Sequence, residues 1–133
     1  MNMNPVVHFE MPANDRKRIA NFYSKVFGWK TQMMGEEMGN YVLATTTETD
    51  EKTQMAKKPG AINGGFFEND GKSPIKHPSI VISVDDIKEH MKTVAKAGGK
   101  TFGEPMEIPG VGLFVVFEDT EGNRHSMLQP SRK

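Results

Sequence analysis

His8 and Glu10 are the residues whose types and spacing could do chemistry. They stand two apart in the run Val6-Val7-His8-Phe9-Glu10-Met11. If that run is a strand, both side chains leave the same face, and Phe9 and Met11 leave the other. An imidazole that titrates near neutrality beside a carboxylate can move protons as general base and general acid. The structural alternatives are a hydrogen-bonded histidine on a sheet and a surface-facing glutamate. The other histidines do not complete a metal motif. His77, His90 and His125 are far apart, and neither H-x-H nor H-E-x-x-H spacing occurs. His77 would share a strand face with Ser79 only if the strand began before Pro78. A rebuilt site of His8, Glu10, Asn63 and His77 depends on that. His125 is expected under a helix, and His90 in a structural or surface position. There is no cysteine, so disulfides, thiol catalysis and thiolate metal sites are excluded.

The elements that must position these groups come twice. Val7, Phe9 and Met11 give the first strand an apolar face. Asn14 or Asp15 can cap a following helix, in which Ile19, Phe22, Tyr23, Val26 and Phe27 form one broad stripe. Gly28 suits its left-handed exit. Residues 29–34, 41–46 and 61–67 read as three further strands. Gly64-Gly65 in the last marks a bulge or a close approach of backbone or ligand. Residues 48–58 are polar, without period, and read as a mobile loop. After a linker at about 69–76 the order repeats. Ile80, Ile82 and Val84 alternate with Ser79, Val81 and Ser83. Asp85 or Asp86 caps a helix with Ile87, Met91 and Val94 inward, and Gly98-Gly99 ends it. Residues 100–102 open a strand that Pro105 and Pro109 interrupt. Residues 113–117 read as the most buried strand, and 124–129 as the last, after the tight turn 119–123. Each half therefore reads strand, helix, strand, strand, strand. Each sheet has one face toward its helix and one left free. Side by side, the free faces would surround a shared cleft.

The bulk composition excludes several classes. At 133 residues the chain is one domain's worth. Its 17 basic and 17 acidic residues cancel, which gives no electrostatic reason to bind nucleic acid or an anionic membrane. Arg16-Lys17-Arg18 is expected on the solvated face of the first helix. No apolar run approaches the roughly 20 residues that span a bilayer. Met1-Asn2-Met3-Asn4-Pro5 has no leader character, so a soluble cytoplasmic protein is the expectation. The 10 methionines read as adaptable filler, or as a soft pocket wall.

In this order the pieces resemble the vicinal oxygen chelate superfamily, which includes glyoxalase I, extradiol dioxygenases and bleomycin-resistance proteins. The resemblance rests on His8, then Asn21-Phe22-Tyr23-Ser24-Lys25-Val26-Phe27-Gly28-Trp29, then Ser83-Val84-Asp85-Asp86, then Glu118-Asp119-Thr120-Glu121-Gly122-Asn123. It covers nearly the whole chain. It implies an α+β fold of two βαβββ modules, at about 4–68 and 77–130, whose curved mixed sheets form a cup-shaped cleft. It also implies a small-molecule ligand and a homodimer, in which modules can be exchanged. Enzymes of this superfamily hold a divalent metal with four side chains. Those positions fall here on His8, near Asn63 or Gly64, on Ser79 and on Ser126. Only His8 is a conventional ligand, because borderline divalent metals want imidazole or carboxylate donors. The expectation is a glyoxalase-like binding protein or enzyme without the usual four-ligand metal site. The alternatives are a metal-dependent lyase or dioxygenase using His8 with non-standard ligands, and an antibiotic-sequestering protein. His8 and Glu10 are the expected catalytic pair. Asn63, Ser79 and Ser126 would offer polar atoms to a ligand, and Trp29, Tyr41, Phe66 or Phe67, and Phe114 would wall it.

Overall fold

The computed structural model describes residues 3–53 and 55–131. The first two residues of the N-terminal run read for leader character therefore lie outside the described part. Two compact units are present: His8–Pro78, and the residues from Ser79 on together with the short segment before His8.

The first unit takes β1 (Val6–Ala13) from His8 on, which leads into α1 (Arg16–Phe27), then β2 (Lys30–Met33), a short 3-10 turn (Glu36–Met38), β3 (Val42–Thr45) and β4 (Asn63–Glu68). The helix starts where Asp15 stops it, its carboxylate accepting from Arg18 N–H at 3.1 Å. It ends at Gly28, which takes the left-handed conformation at φ 72°. The strands lie in the order β2-β3-β4-β1. β4 runs parallel to β1 and antiparallel to β3, and β2 antiparallel to β3. The alternation of β1 works as read. Ala13 is buried with Ala20, Val42, Ala44 and Phe66, and Phe9, Met11, Ile19, Tyr23 and Trp29 pack around them. The helical stripe is narrower than its sequence suggests. Phe22, Val26 and Phe27 are 53%, 55% and 61% exposed. The small Ala20 is the buried centre of the helix contact, so the helix seats around residues 19, 20 and 23. Arg16 is not on a solvated face. Half-buried, it donates to the carbonyls of Met34 at 2.8 Å and Asn40 at 3.2 Å and pins the turn before β3.

The segment 48–58 has local order that no period announces. Thr49 and Ala56 form an isolated antiparallel bridge, and the Asp50 carboxylate caps the turn by accepting from Lys52 and Thr53 N–H. The expected loop is thus tied across its base by described residues on both sides.

The second unit contains β5 (Ser79–Ser83), α2 (Ile87–Lys96), β6 (Lys100–Ile108), β7 (Gly112–Glu118) and β8 (Arg124–Pro130), in the order β5-β8-β7-β6. Asp86 caps α2 by accepting from Glu89 N–H at 3.2 Å. Val84, Ile87, Val115 and Met127 form the core, with Met91, Val94, Leu113 and Phe117 around it. β6 runs through Pro105 instead of breaking there. Its register against β7 shifts between Phe102 and Met106, and as the last strand in its unit's order it tolerates the missing N–H. In β7, Gly112 and Val115 are buried and Leu113, Phe114, Val116 and Phe117 half-buried. Among the described residues the longest buried run is instead Gly64-Gly65-Phe66. No helix among the described residues is long and apolar enough to cross a membrane.

Candidate functional site

β1 turns Phe9, Met11 and Ala13 toward α1, which leaves His8 and Glu10 on the opposite face. Tyr41 immediately precedes β3, whose Val42 and Ala44 are in the core, so Tyr41 also belongs to the opposite face. Between β3 and β1 lies β4. To reach β1 the Tyr41 ring must cross β4, and it does so over Gly65, which is register partner of both Glu10 and Leu43. A methyl group on Gly65 would overlap the Tyr41 ring and hydroxyl. Gly64 does the same on the helix side, where a methyl would overlap the Phe9 ring. The paired glycines thus serve two side chains, not a bulge.

The result is a three-residue cluster. His8 Nε2 and Tyr41 Oη are 2.9 Å apart, and the same hydroxyl lies over Gly65, the register partner of Glu10, where it interacts electrostatically with the Glu10 carboxyl. All three are half-buried. Burial dominates their titration. It pushes His8 down to about 4. It pushes Glu10 up to about 7, against the smaller opposite pull of the Tyr41 hydroxyl. The Tyr41 phenol is raised by burial first, then by its interaction with the Glu10 carboxyl. Near neutral pH the cluster offers a neutral imidazole, a neutral phenol and a carboxyl close to half-protonated. Such a carboxyl can both give and take a proton.

The other expected site residues separate into three groups. Trp29 and Phe66 lie behind the sheet. Trp29 stacks on Tyr23 at 4.7 Å and meets Phe9 at 5.5 Å. Phe66 is 1% exposed and stacks on Tyr23 at 5.4 Å. Neither can wall a ligand on the His8 face. The register puts Phe66 beside Met11 and Val42, so it is Phe67 that shares the side of Asn63 and Gly65. Asn63 is on the right face but its amide is occupied. Its oxygen accepts from Thr46 N–H at 2.8 Å, and its nitrogen donates to Thr49 Oγ1 at 3.0 Å. It fastens the segment 48–58 to β4. Ser79, Phe114 and Ser126 belong to the second unit. The register pairs Ser126 with Val81 and Val116, and Phe114 with Leu128, so these residues stand on the face away from α2. The Ser79 and Ser126 hydroxyls are buried without a hydrogen-bond partner. His77 is exposed in the linker before β5, its Nδ1 3.0 Å from the Pro78 carbonyl. His125 sits against Phe117, and its Nδ1 accepts from Ile80 N–H at 3.1 Å.

The donor set does not suit a divalent metal at the family's four positions. His8 is an imidazole, but Asn63 is engaged and Ser79 and Ser126 are neutral hydroxyls. Among the described residues no three His, Cys, Asp or Glu side chains converge. Two surface hollows, of about 250 and 530 Å³, are lined by Ala13, Asn14, Arg16, Asn40 and Glu68 and by Thr47, Glu48, Lys57 and Lys58. Neither includes the His8 cluster. The chemistry of the cluster, not the size of a hollow, marks the candidate site. Sequence reading missed Tyr41 as a bridge; the Gly64-Gly65 pair was the signal.

Comparison with known proteins agrees with this architecture. A glyoxylase-like domain-containing protein of Didymella fabae is 36% identical over 121 residues, 89% of this chain and 88% of that protein. The anthracycline biosynthesis protein DnrV of Streptomyces peucetius is 28% identical over 120 residues, 86% of this chain and 42% of that protein. A variant of Streptomyces coelicolor methylmalonyl-CoA epimerase, solved with 2-nitronate-propionyl-CoA, superposes with a TM-score of 0.67 over 98% of this chain and 100% of that chain. Its identity is 14%, so the likeness is one of fold. Residues 6–127 match the family of glyoxalases, and the chain belongs to the Glyoxalase/Bleomycin resistance protein/Dioxygenase superfamily.

Proposed function

We propose that this chain is a glyoxalase-like enzyme that moves a proton on a small organic molecule, using His8 and Glu10 as its acid–base pair and no four-ligand metal. One observation carries the reading. His8 and Glu10 share the sheet face away from the helix with Tyr41, whose hydroxyl is 2.9 Å from His8 Nε2 and interacts with the Glu10 carboxyl, which burial raises to about 7. A pair of this kind suits a substrate with an acidic C–H beside a carbonyl, which needs a base of near-neutral pKa and a donor for the oxygen. The epimerase of similar fold acts on a substrate of that type, an acyl-CoA thioester, which supports testing this class first.

The test is deuterium exchange from D₂O into 2-carboxyacyl thioesters and thiol adducts of 1,2-dicarbonyls, followed by proton NMR. Exchange by the native chain should fall by roughly 10²–10⁴-fold in Glu10→Gln and His8→Ala. Exchange that survives both substitutions refutes the assignment. Binding of such compounds without any exchange would leave a sequestering protein as the reading.

A further inference from the structure

The Tyr41 hydroxyl lies 2.9 Å from His8 Nε2 and over Gly65, which the register places beside Glu10, so that it stands between the imidazole and the carboxyl with which it interacts. One O–H has a single proton, so it can donate to only one of these neighbours and must accept from the other. The far ring nitrogen, His8 Nδ1, makes no hydrogen bond to a described residue. It is not sealed in either, since the buried unpartnered side-chain atoms among those residues are the Ser79 and Ser126 hydroxyls. We infer that His8, Tyr41 and Glu10 form a proton relay. A proton taken from a ligand by His8 Nδ1 is matched by one delivered to Glu10, and Tyr41 is the positioning residue that passes it. This deepens the acid–base reading above and rests on it.

The protons balance as follows. With Glu10 ionised, its carboxylate accepts from Tyr41 O–H, the Tyr41 oxygen accepts from His8 Nε2–H, and Nδ1 is bare. When Nδ1 takes a proton from an acidic ligand, Nε2–H passes to the Tyr41 oxygen. The Tyr41 proton then passes to Glu10. The products are a neutral carboxylic acid, a neutral phenol, and a neutral imidazole protonated at Nδ1 in place of Nε2. No imidazolium persists. The geometry requires this economy, because a buried imidazole resists a second proton while its neighbour across the phenol accepts one. Nδ1 then acts as a base with the proton affinity of Glu10. Gly65 is what permits the arrangement, since it is the gap through which the Tyr41 ring reaches β1.

Among the described residues of this unit, the segment fastened at Asn63, the register partner of His8, carries Glu48, Asp50, Lys57 and Lys58 nearby in sequence. Within this unit, β1 brings His8 and Glu10 to this face, and the segment before β3 brings Tyr41. β4 brings Asn63, Gly65 and Phe67, none of them titratable. β2 brings the exposed Lys30, register partner of Thr45.

The ligand-free, isotopically labelled full chain supplies the test. Long-range ¹H–¹⁵N correlations report which His8 nitrogen carries the proton, and the Glu10 carboxyl ¹³C shift reports its ionisation. As pH rises through the Glu10 midpoint, near 7, the His8 proton should move from Nδ1 to Nε2 with the same midpoint. In Tyr41→Phe the carboxyl should still titrate while the His8 nitrogens no longer follow it. In Glu10→Gln, which keeps a hydrogen-bonding group at that position, His8 should hold one pattern across the same range. A His8 proton that stays on one nitrogen while native Glu10 titrates overturns the relay. So does a shift that persists in either variant. This outcome is separable from the enzyme assay. Glu10-dependent exchange with a fixed His8 proton refutes the relay alone. An intact relay without exchange on any carbonyl compound refutes the acid–base enzyme alone.

Discussion

Replacing Glu10 by glutamine should leave the protein about as stable as the native chain at low pH and more stable above neutrality. The sign follows from linkage. Glu10 has a folded pKa of about 7 against 4.5 unperturbed, caused first by burial. Between those values the folded state holds a proton that the unfolded state has lost. Native stability from this group is therefore fully present below about pH 4.5 and is lost as pH rises through about 7. The gap corresponds to roughly 3 kcal/mol at 1.36 kcal/mol per unit. Because the carboxyl is half-buried rather than sealed, solvent reduces this to about 2 kcal/mol. Glutamine keeps the shape and can hydrogen-bond Tyr41, but it never ionises. The difference between variant and native chain should thus grow from near zero at about pH 4.5 to roughly 2 kcal/mol in favour of the variant at about pH 8. Urea unfolding at several pH values measures it. The exposed carboxylates held down by their turns, Asp50, Asp70 and Asp119, act in both proteins and cancel. His8 works in the opposite direction, its folded pKa being depressed to about 4 by burial. Its contribution rises with pH between about 4 and 6.5, and it too is common to both chains. A difference that does not change with pH would refute the claim that Glu10 titrates near neutrality in the folded state.

Two further substitutions probe the packing around the site. Gly65→Ala places a methyl where the Tyr41 ring lies and should cost about 1–3 kcal/mol. In a cycle with Tyr41→Ala the two costs should be strongly non-additive, and additivity would refute the cradle. Ser126→Ala removes a fully buried hydroxyl that has no partner. It should be neutral or stabilising by up to about 1–3 kcal/mol in urea unfolding, whereas a loss of more than about 1 kcal/mol would show that the hydroxyl is engaged.

What was legible depended on whether a feature is local. The alternation of β1 assigns faces to His8, Glu10, Phe9 and Met11 within six residues, so that part of the site could be read directly. The caps at Asp15, Gly28 and Asp86 are equally local. Phe66 and Phe67 were not separable, because a one-residue change of register reverses every face on a strand and adjacent glycines give no pattern to fix it. Trp29 lies at the edge of its strand and turns back onto Tyr23 and Phe9, which only the packed helix decides. The stripe on α1 was legible as a direction but not as a width. Periodicity tells which residues share an arc, not where the neighbouring sheet stops covering it. Tyr41 was read as a wall and is a bridge, since its role depends on three strands meeting in register.

The consequence of that register is an inversion of the usual proton order. In water an imidazole holds its proton to higher pH than a carboxylate does, and a histidine beside a glutamate forms an ion pair. Here the folded values are about 4 for His8 and about 7 for Glu10. Between about pH 4 and 7 the pair is therefore a neutral imidazole and a neutral acid. Separated charge in a partly dry site costs more than its attraction returns unless every lone pair is satisfied. A single phenol between the two groups cannot satisfy an imidazolium and a carboxylate together, but it can serve either neutral arrangement by turning its O–H. The same two glycines that let Phe9 close the core let Tyr41 lie between acid and base. Core and site are thus set by one dipeptide, and Gly64-Gly65 is the place where a change to packing becomes a change to proton affinity.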